Sequence, residues 1–131
     1  MGFTAHSPDG LALLLWAASP AVPERLATPF FHAAVAAAMD VPVEIYFSAA
    51  SVQLLAPGVA DGLRASARHP KTIGDAMREA HGHGARFFAC TDALHAHGLA
   101  PSGLIAECSG HGGAVQFMAR ACDLRWRALV F

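Results

Sequence analysis

Apolar residues in this chain fall into short, nearly unbroken runs separated by segments of helical period. Leu11-Ala12-Leu13-Leu14-Leu15-Trp16-Ala17-Ala18 is one such run, the form taken by a parallel strand covered on both faces. Thr28-Pro29 reads as an N-cap followed by proline in the first turn, and the alanine-rich stretch to Met39 suits a closely packed helix. Val43 to Phe47 predicts a second strand with Glu44 its only charge, and Ser48 to Leu55 a short helix. From Pro57 to Pro70 the pattern dissolves into glycines, arginines and a histidine, which predicts an exposed, mobile connection with room beside it for a partner. Thr72 then opens an amphipathic helix with Ile73, Ala76, Met77 and Ala80 on one stripe, closed by Gly82 and Gly84.

Arg86 to Cys90 is a third strand, Gly103 to Glu107 a short fourth, and Arg125 to Phe131 the last. Between the final two, a helix carries Ala114, Phe117, Met118 and Ala121 on one face. Strand and helix alternate about five times with short connections. The prediction is an α/β fold, a three-layer α/β/α sandwich with a mostly parallel sheet of about five strands. It forms one domain over residues 1–131.

Composition narrows the class. The chain is 54 % hydrophobic and only 15 % charged, so it is globular and unusually apolar. No apolar run approaches the roughly 18–20 residues that span a bilayer, because Pro20 and Pro23 follow the longest one. Met1 to Gly10 lacks the basic start and apolar stretch of a secretion signal. A cytoplasmic protein with no membrane contact is expected. Net charge is −1, Lys71 is the sole lysine, and no basic block occurs, which argues against direct nucleic-acid binding. So few charges protect an apolar surface poorly, so self-association or a permanent partner is expected. Three cysteines without CxxC spacing argue against a disulfide framework or a zinc ribbon and fit a reducing compartment.

Cys90 is the leading candidate for chemistry. It closes an apolar strand and is followed by Thr91, a capping residue, Asp92 in a first turn, and Gly98 as a stop signal. A thiol at a helix start meets unpaired N–H groups and the positive end of the helix dipole, which favour a thiolate. In parallel sheets the functional crevice lies beyond the carboxyl ends of the strands. Ser48, Cys90, Cys108 and the loop after Ala18 are all expected there. The plainer alternative is that Cys90 is a small buried hydrophobe in a non-catalytic module that binds a small ligand or protein.

The other candidates are weaker. Cys108, before Ser109-Gly110-His111-Gly112-Gly113, can resolve a disulfide at Cys90 if the two meet, while Cys122 reads as packing. The glycine cluster around His111 is a tight turn able to offer N–H groups to an anion. It is not GxGxxG, so no nucleotide or other cofactor is expected. His95 and His97 can tune Cys90 electrostatically. Cys90, His95, His97, Cys108 and His111 show no recognised metal-ligand spacing, so no metal site is expected. No GxSxG and no acid/base carboxylate pair supports a hydrolase.

The stretch Phe87-Phe88-Ala89-Cys90-Thr91-Asp92-Ala93-Leu94-His95-Ala96-His97-Gly98-Leu99 resembles the DsrE/DsrF-like family of sulfur-relay proteins, which includes TusD-like sulfurtransferase subunits. There an apolar strand ends in a cysteine followed by small and apolar residues and a glycine–aliphatic pair, places held here by Cys90, Ala93, Leu94, Gly98 and Leu99. The likeness extends more loosely over most of the chain. It implies that Cys90 accepts sulfane sulfur from a donor protein's persulfide, carries it as Cys–S–SH and yields it to an acceptor protein. It also implies assembly as a homo-trimer or hexamer, or as a subunit of a related hetero-oligomer. Some members lack the cysteine, so the fold alone does not guarantee activity.

Overall fold

The computed structural model describes residues 7–131. For residues 1–6 the reading of the amino-terminal segment lies outside the described part. Five strands form one sheet in the order β4-β3-β2-β1-β5, every neighbouring pair parallel. They are β1 (Gly10–Leu15), β2 (Val43–Phe47), β3 (Arg86–Ala89), β4 (Cys108–His111) and β5 (Trp126–Val130). The helices are α1 (Glu24–Ala38), α2 (Ile73–Gly82), α3 (Thr91–Ala96) and α4 (Ala114–Ala121). The three-layer α/β/α reading holds, with unequal layers.

The inequality follows from handedness. The chain steps from β1 to β2, β3 and β4 in one direction, and right-handed crossovers then place every connection on the same face. On that face α1, α2, α3 and the 3-10 segment Ala49–Leu55 bury the main core. Phe30 stacks on Phe47 at 6.0 Å, and Phe47 meets Phe87 edge-on at 5.4 Å. The return from β4 to β5 reverses direction and must cross the opposite face, so α4 lies there over a small cluster of Ala12, Tyr46, Phe88 and Phe117.

Boundaries depart from expectation where tertiary contacts overrule local signals. β1 ends at Leu15 rather than Ala18, because the N–H groups of Trp16, Ala17 and Ala18 turn to the Phe131 carbonyl at 2.7, 2.9 and 3.4 Å. That contact closes the carboxyl end of β1 against the end of β5. Helix α1 starts at Glu24, so Pro29 sits inside it and Thr28 is exposed rather than capping. Pro29 costs one helical hydrogen bond, and its buried ring packs in return. Helix α2 begins as expected, with Thr72 and Asp75 forming a reciprocal capping box, each bond 3.0 Å.

The expected fourth strand, Gly103 to Glu107, is not a strand. Leu104 and Ile105 pack against the main core as a loop, the Ile105 N–H bonding the Leu55 carbonyl at 2.9 Å. The real β4 is Cys108–His111, with a register irregularity opposite Phe87 and Phe88. Its sequence, Cys-Ser-Gly-His, has no strand signature because an edge strand needs only one partner and few buried side chains. The segment from Pro57 to Pro70 holds a 3-10 turn, Ala60–Gly62, and remains largely exposed.

Candidate functional site

Strand β2 ends at a constrained corner. Ala49 follows Ser48 with φ of +49°, a conformation that costs an alanine energy unless its surroundings enforce it. Ser51, fully buried, supplies the enforcement. Its Oγ accepts from the Ser48 N–H at 2.9 Å and lies 2.6 and 3.0 Å from the Ser48 and Leu15 carbonyls. Ser48 is thereby fixed beside Cys90, which follows β3. The Cys90 N–H bonds the Phe47 carbonyl at 3.0 Å, and the Cys90 carbonyl accepts from the Leu94 N–H at 3.0 Å. The residue therefore ends the ladder and opens α3 at once. Cys90, not Thr91, occupies the N-cap position. Gly98, at φ +67°, ends the helix in the left-handed region.

Cys90 lines a cavity of about 260 Å³. Leu14 contributes from β1, Tyr46, Phe47 and Ser48 from the end of β2, and Gly112 to Ala114, Phe117 and Met118 from the far side. No lining residue is charged. Cys90 itself is half-buried, packed on one side against the main core. The cavity is largely apolar and placed at the carboxyl ends of parallel strands, where such sheets keep their crevices.

Sequence reasoning did not bring all its candidates here. Cys108 starts β4 instead of following a strand, and it pairs in register with Phe87. Cys90 stands three residues further along, about 11 Å away at ~3.3 Å per residue and ~4.8 Å between strands, beyond the roughly 7 Å that a disulfide spans. Burial, the larger influence, pushes the Cys108 thiol up against a smaller opposing effect of a hydrogen bond with the Gly110 backbone. Cys108 is therefore not placed to resolve Cys90. Thr91 and Asp92 are exposed in the first turn of α3. His95 and His97 lie at the other end of that helix, about 7 and 10 Å along its axis at ~1.5 Å per residue, and do not line the cavity. His111 is exposed at the end of β4, in register with Ala89. Cys122, expected to pack, is exposed at the C-cap of α4. Among the described residues no group of three His, Cys, Asp or Glu is close enough to hold a metal ion.

A buried polar network beside the cavity went unread. Glu44 is 4 % exposed and receives Arg120 Nε and Nη2 at 2.9 and 3.0 Å and the Tyr46 hydroxyl at 2.7 Å. Burial raises the Glu44 carboxyl, but the hydrogen bonds from Arg120 and Tyr46 and the charges of Arg120 and Arg86 outweigh it. The net position is below the usual carboxylate range. Tyr46 is pushed up to about 12 by burial and by Glu44. A signal was available: a carboxylate in the middle of an otherwise apolar parallel strand requires a partner.

A five-stranded parallel α/β sheet with a half-buried cysteine facing a crevice at its carboxyl edge defines the class of protein. The comparisons make it specific. The model of the DsrE/DsrF-like family matches residues 12–124, and the chain belongs to that family. The protein of unknown function MTH1491 from Methanobacterium thermoautotrophicum superposes with a TM-score of 0.64 at 16 % identity, over 92 % of this chain and 97 % of that one. The ychN protein from E. coli gives 0.62 at 12 % identity, over 94 % and 99 %. At such identities the likeness establishes the fold. No curated protein matches the chain.

Proposed function

We propose that this protein is an intracellular sulfur carrier that holds sulfane sulfur as a persulfide on Cys90. The observation that carries the reading is half-buried Cys90 at the carboxyl edge of the sheet, lining a largely apolar cavity, in a chain of the DsrE/DsrF-like family. A persulfide's outer sulfur is weakly hydrated, and an uncharged, largely apolar cavity suits it.

The transfer is a thiol exchange. The Cys90 thiolate attacks the outer sulfur of a donor persulfide R–S–S⁻, a new S–S bond forms, and the donor's inner sulfur leaves as R–S⁻. The acceptor thiolate repeats the attack on Cys90–S–S⁻, and Cys90 leaves as thiolate. Neither step has a net oxidant or reductant. Donor and acceptor are proteins whose cysteines sit on extended or terminal segments, since only a narrow element enters a crevice of this size. Cytoplasmic residence accords with this chemistry, and no helix among the described residues is long and apolar enough to cross a membrane. The exposed apolar side chains of α4 and β5, Val115, Met118, Leu129 and Val130, together with Trp16, support assembly with further copies or with a related subunit.

The test treats reduced protein with a low-molecular-weight persulfide and maps any adduct by mass. One added sulfur on the Cys90 peptide, absent in Cys90→Ser, is expected. No adduct at Cys90, while a known carrier loads alongside, would sink the proposal. A second reading, a non-catalytic module with structural Cys90, draws on its packing against the core. It requires slow alkylation of Cys90 at neutral pH and unchanged assembly in Cys90→Ser.

A further inference from the structure

Arg120 lies near the carboxyl end of α4 and does not line the cavity, yet it ties the helix down. Among the described residues α4 alone covers the second face of the sheet, and of its own residues only Phe117 is buried. Phe117 meets the Tyr46 ring edge-on at 5.4 Å. Arg120, three residues on and on the same helix face, forks onto both oxygens of Glu44. Its guanidinium also stacks 4.0 Å over the Trp126 ring. Trp126 in turn lies flat on Gly10, where any Cβ would collide with its ring. At the opposite end of the same helix Ala114, with Gly112 and Gly113 just before it, forms a wall of the Cys90 cavity, which Phe117 and Met118 also line. A helix of this length is a rod of about 12 Å, so movement at Arg120 about the Phe117 contact shifts that wall.

We infer that Glu44 and Arg120 are positioning residues for Cys90, setting through α4 the width of the cavity that a sulfur donor must enter. This rests on the reading of Cys90 as the working thiol, although neither residue touches its sulfur. The pair is suited to the task because it is directional. A bidentate guanidinium–carboxylate bond fixes angle as well as distance, which apolar packing of a single Phe does not.

The test compares wild type with Glu44→Gln, Arg120→Met and Arg120→Lys, each well below its own melting temperature. Cys90 is alkylated with iodoacetamide and, separately, with a bulky maleimide, and the adducts are quantified by peptide mapping. Exposed Cys122 is the internal reference. The bulky reagent should gain on iodoacetamide at Cys90 by about tenfold in Glu44→Gln and Arg120→Met, the order expected for a lost charge-assisted hydrogen bond. Arg120→Lys, which keeps the charge but not the fork, should fall between them and wild type, and the ratio at Cys122 should not move. Lower melting temperatures with a wild-type ratio at Cys90 would overturn the inference and leave the pair a structural brace. Should Glu44→Gln not fold, the two Arg120 variants carry the comparison. The thiolate fraction cancels in the ratio of the two reagents, which therefore reads access, so a wild type that takes up no sulfur removes the carrier function separately from the result on cavity width.

Discussion

A carboxylate buried as deeply as Glu44 must recover in contacts what it loses in hydration. It does so through Arg120 and Tyr46, and the net effect holds its carboxyl below the ordinary range. The sign of the pH dependence follows. A carboxylate with a folded value under its unfolded value of about 4.3 contributes stability that is present above pH ~4.3. That stability is lost as pH falls through the folded value. Acid melting of wild type should therefore show a steep loss of stability below pH ~4, which Glu44→Gln flattens. Removing Arg120 leaves the buried charge with only the Tyr46 hydroxyl, so Arg120→Met should cost about 2–3 kcal/mol at neutral pH, below the ~3–5 kcal/mol of a fully buried pair because Arg120 is itself partly exposed. Urea melts at neutral pH and near pH 3.5 check both. Parallel losses in wild type and Glu44→Gln would contradict the assignment. At this scale the sequence exposed Cys90 but hid its neighbours. Ser48 was legible at a strand end. Tyr46, Phe117 and Met118 became cavity walls only through packing across the sheet.

Elements were legible wherever one physical signal sufficed. β2 begins and ends at Val43 and Phe47 as its apolar run indicates, and α2 obeys its Thr72 cap. β4 was misplaced because apolar character is shared by strands and core-packing loops, and Leu104 and Ile105 belong to the second kind. That error moved Cys108 to a strand end it does not occupy. Helix α4 was found, yet its stripe was misjudged: Phe117 alone is buried, while Ala114, Met118 and Ala121 remain exposed. Helix α3 offers a direct test of how Cys90 is held. Gly98 stops it at φ +67°, with open space where a Cβ would go, so Gly98→Ala suffers only the backbone penalty. The variant should lose about 1 kcal/mol and fray the short helix that Cys90 caps. Thermal melting and the alkylation rate of Cys90 measure the two effects, with a lower melting temperature and an altered rate expected. An unchanged rate would mean that α3 does not order the thiol.

For the whole molecule, right-handed crossovers decide both the crowded face and the sparse one. Three connections bury the main core, and among the described residues a single helix is left for the other side, with Val115 and Met118 exposed on it and Val130 exposed on β5 beside Leu14. The low charge read from composition is the same fact seen without coordinates. Light scattering should show an assembly larger than the 13.6 kDa chain. Val130→Lys on edge strand β5 should shift it towards the monomer, while Phe31→Lys on α1, exposed on the other face, should not. Equal effects would separate assembly from the α4 and β5 surface. The central claim concerns sulfur moving through the molecule, and one chase measures it. Protein loaded with a persulfide donor is freed of excess reagent and mixed with an acceptor thiol while the masses of both are followed. The account predicts that a sulfur atom leaves Cys90 and appears on the acceptor at the same rate, and that Cys90→Ser delivers none. Sulfur that never loads on Cys90, or that leaves it only as free sulfide, would contradict it.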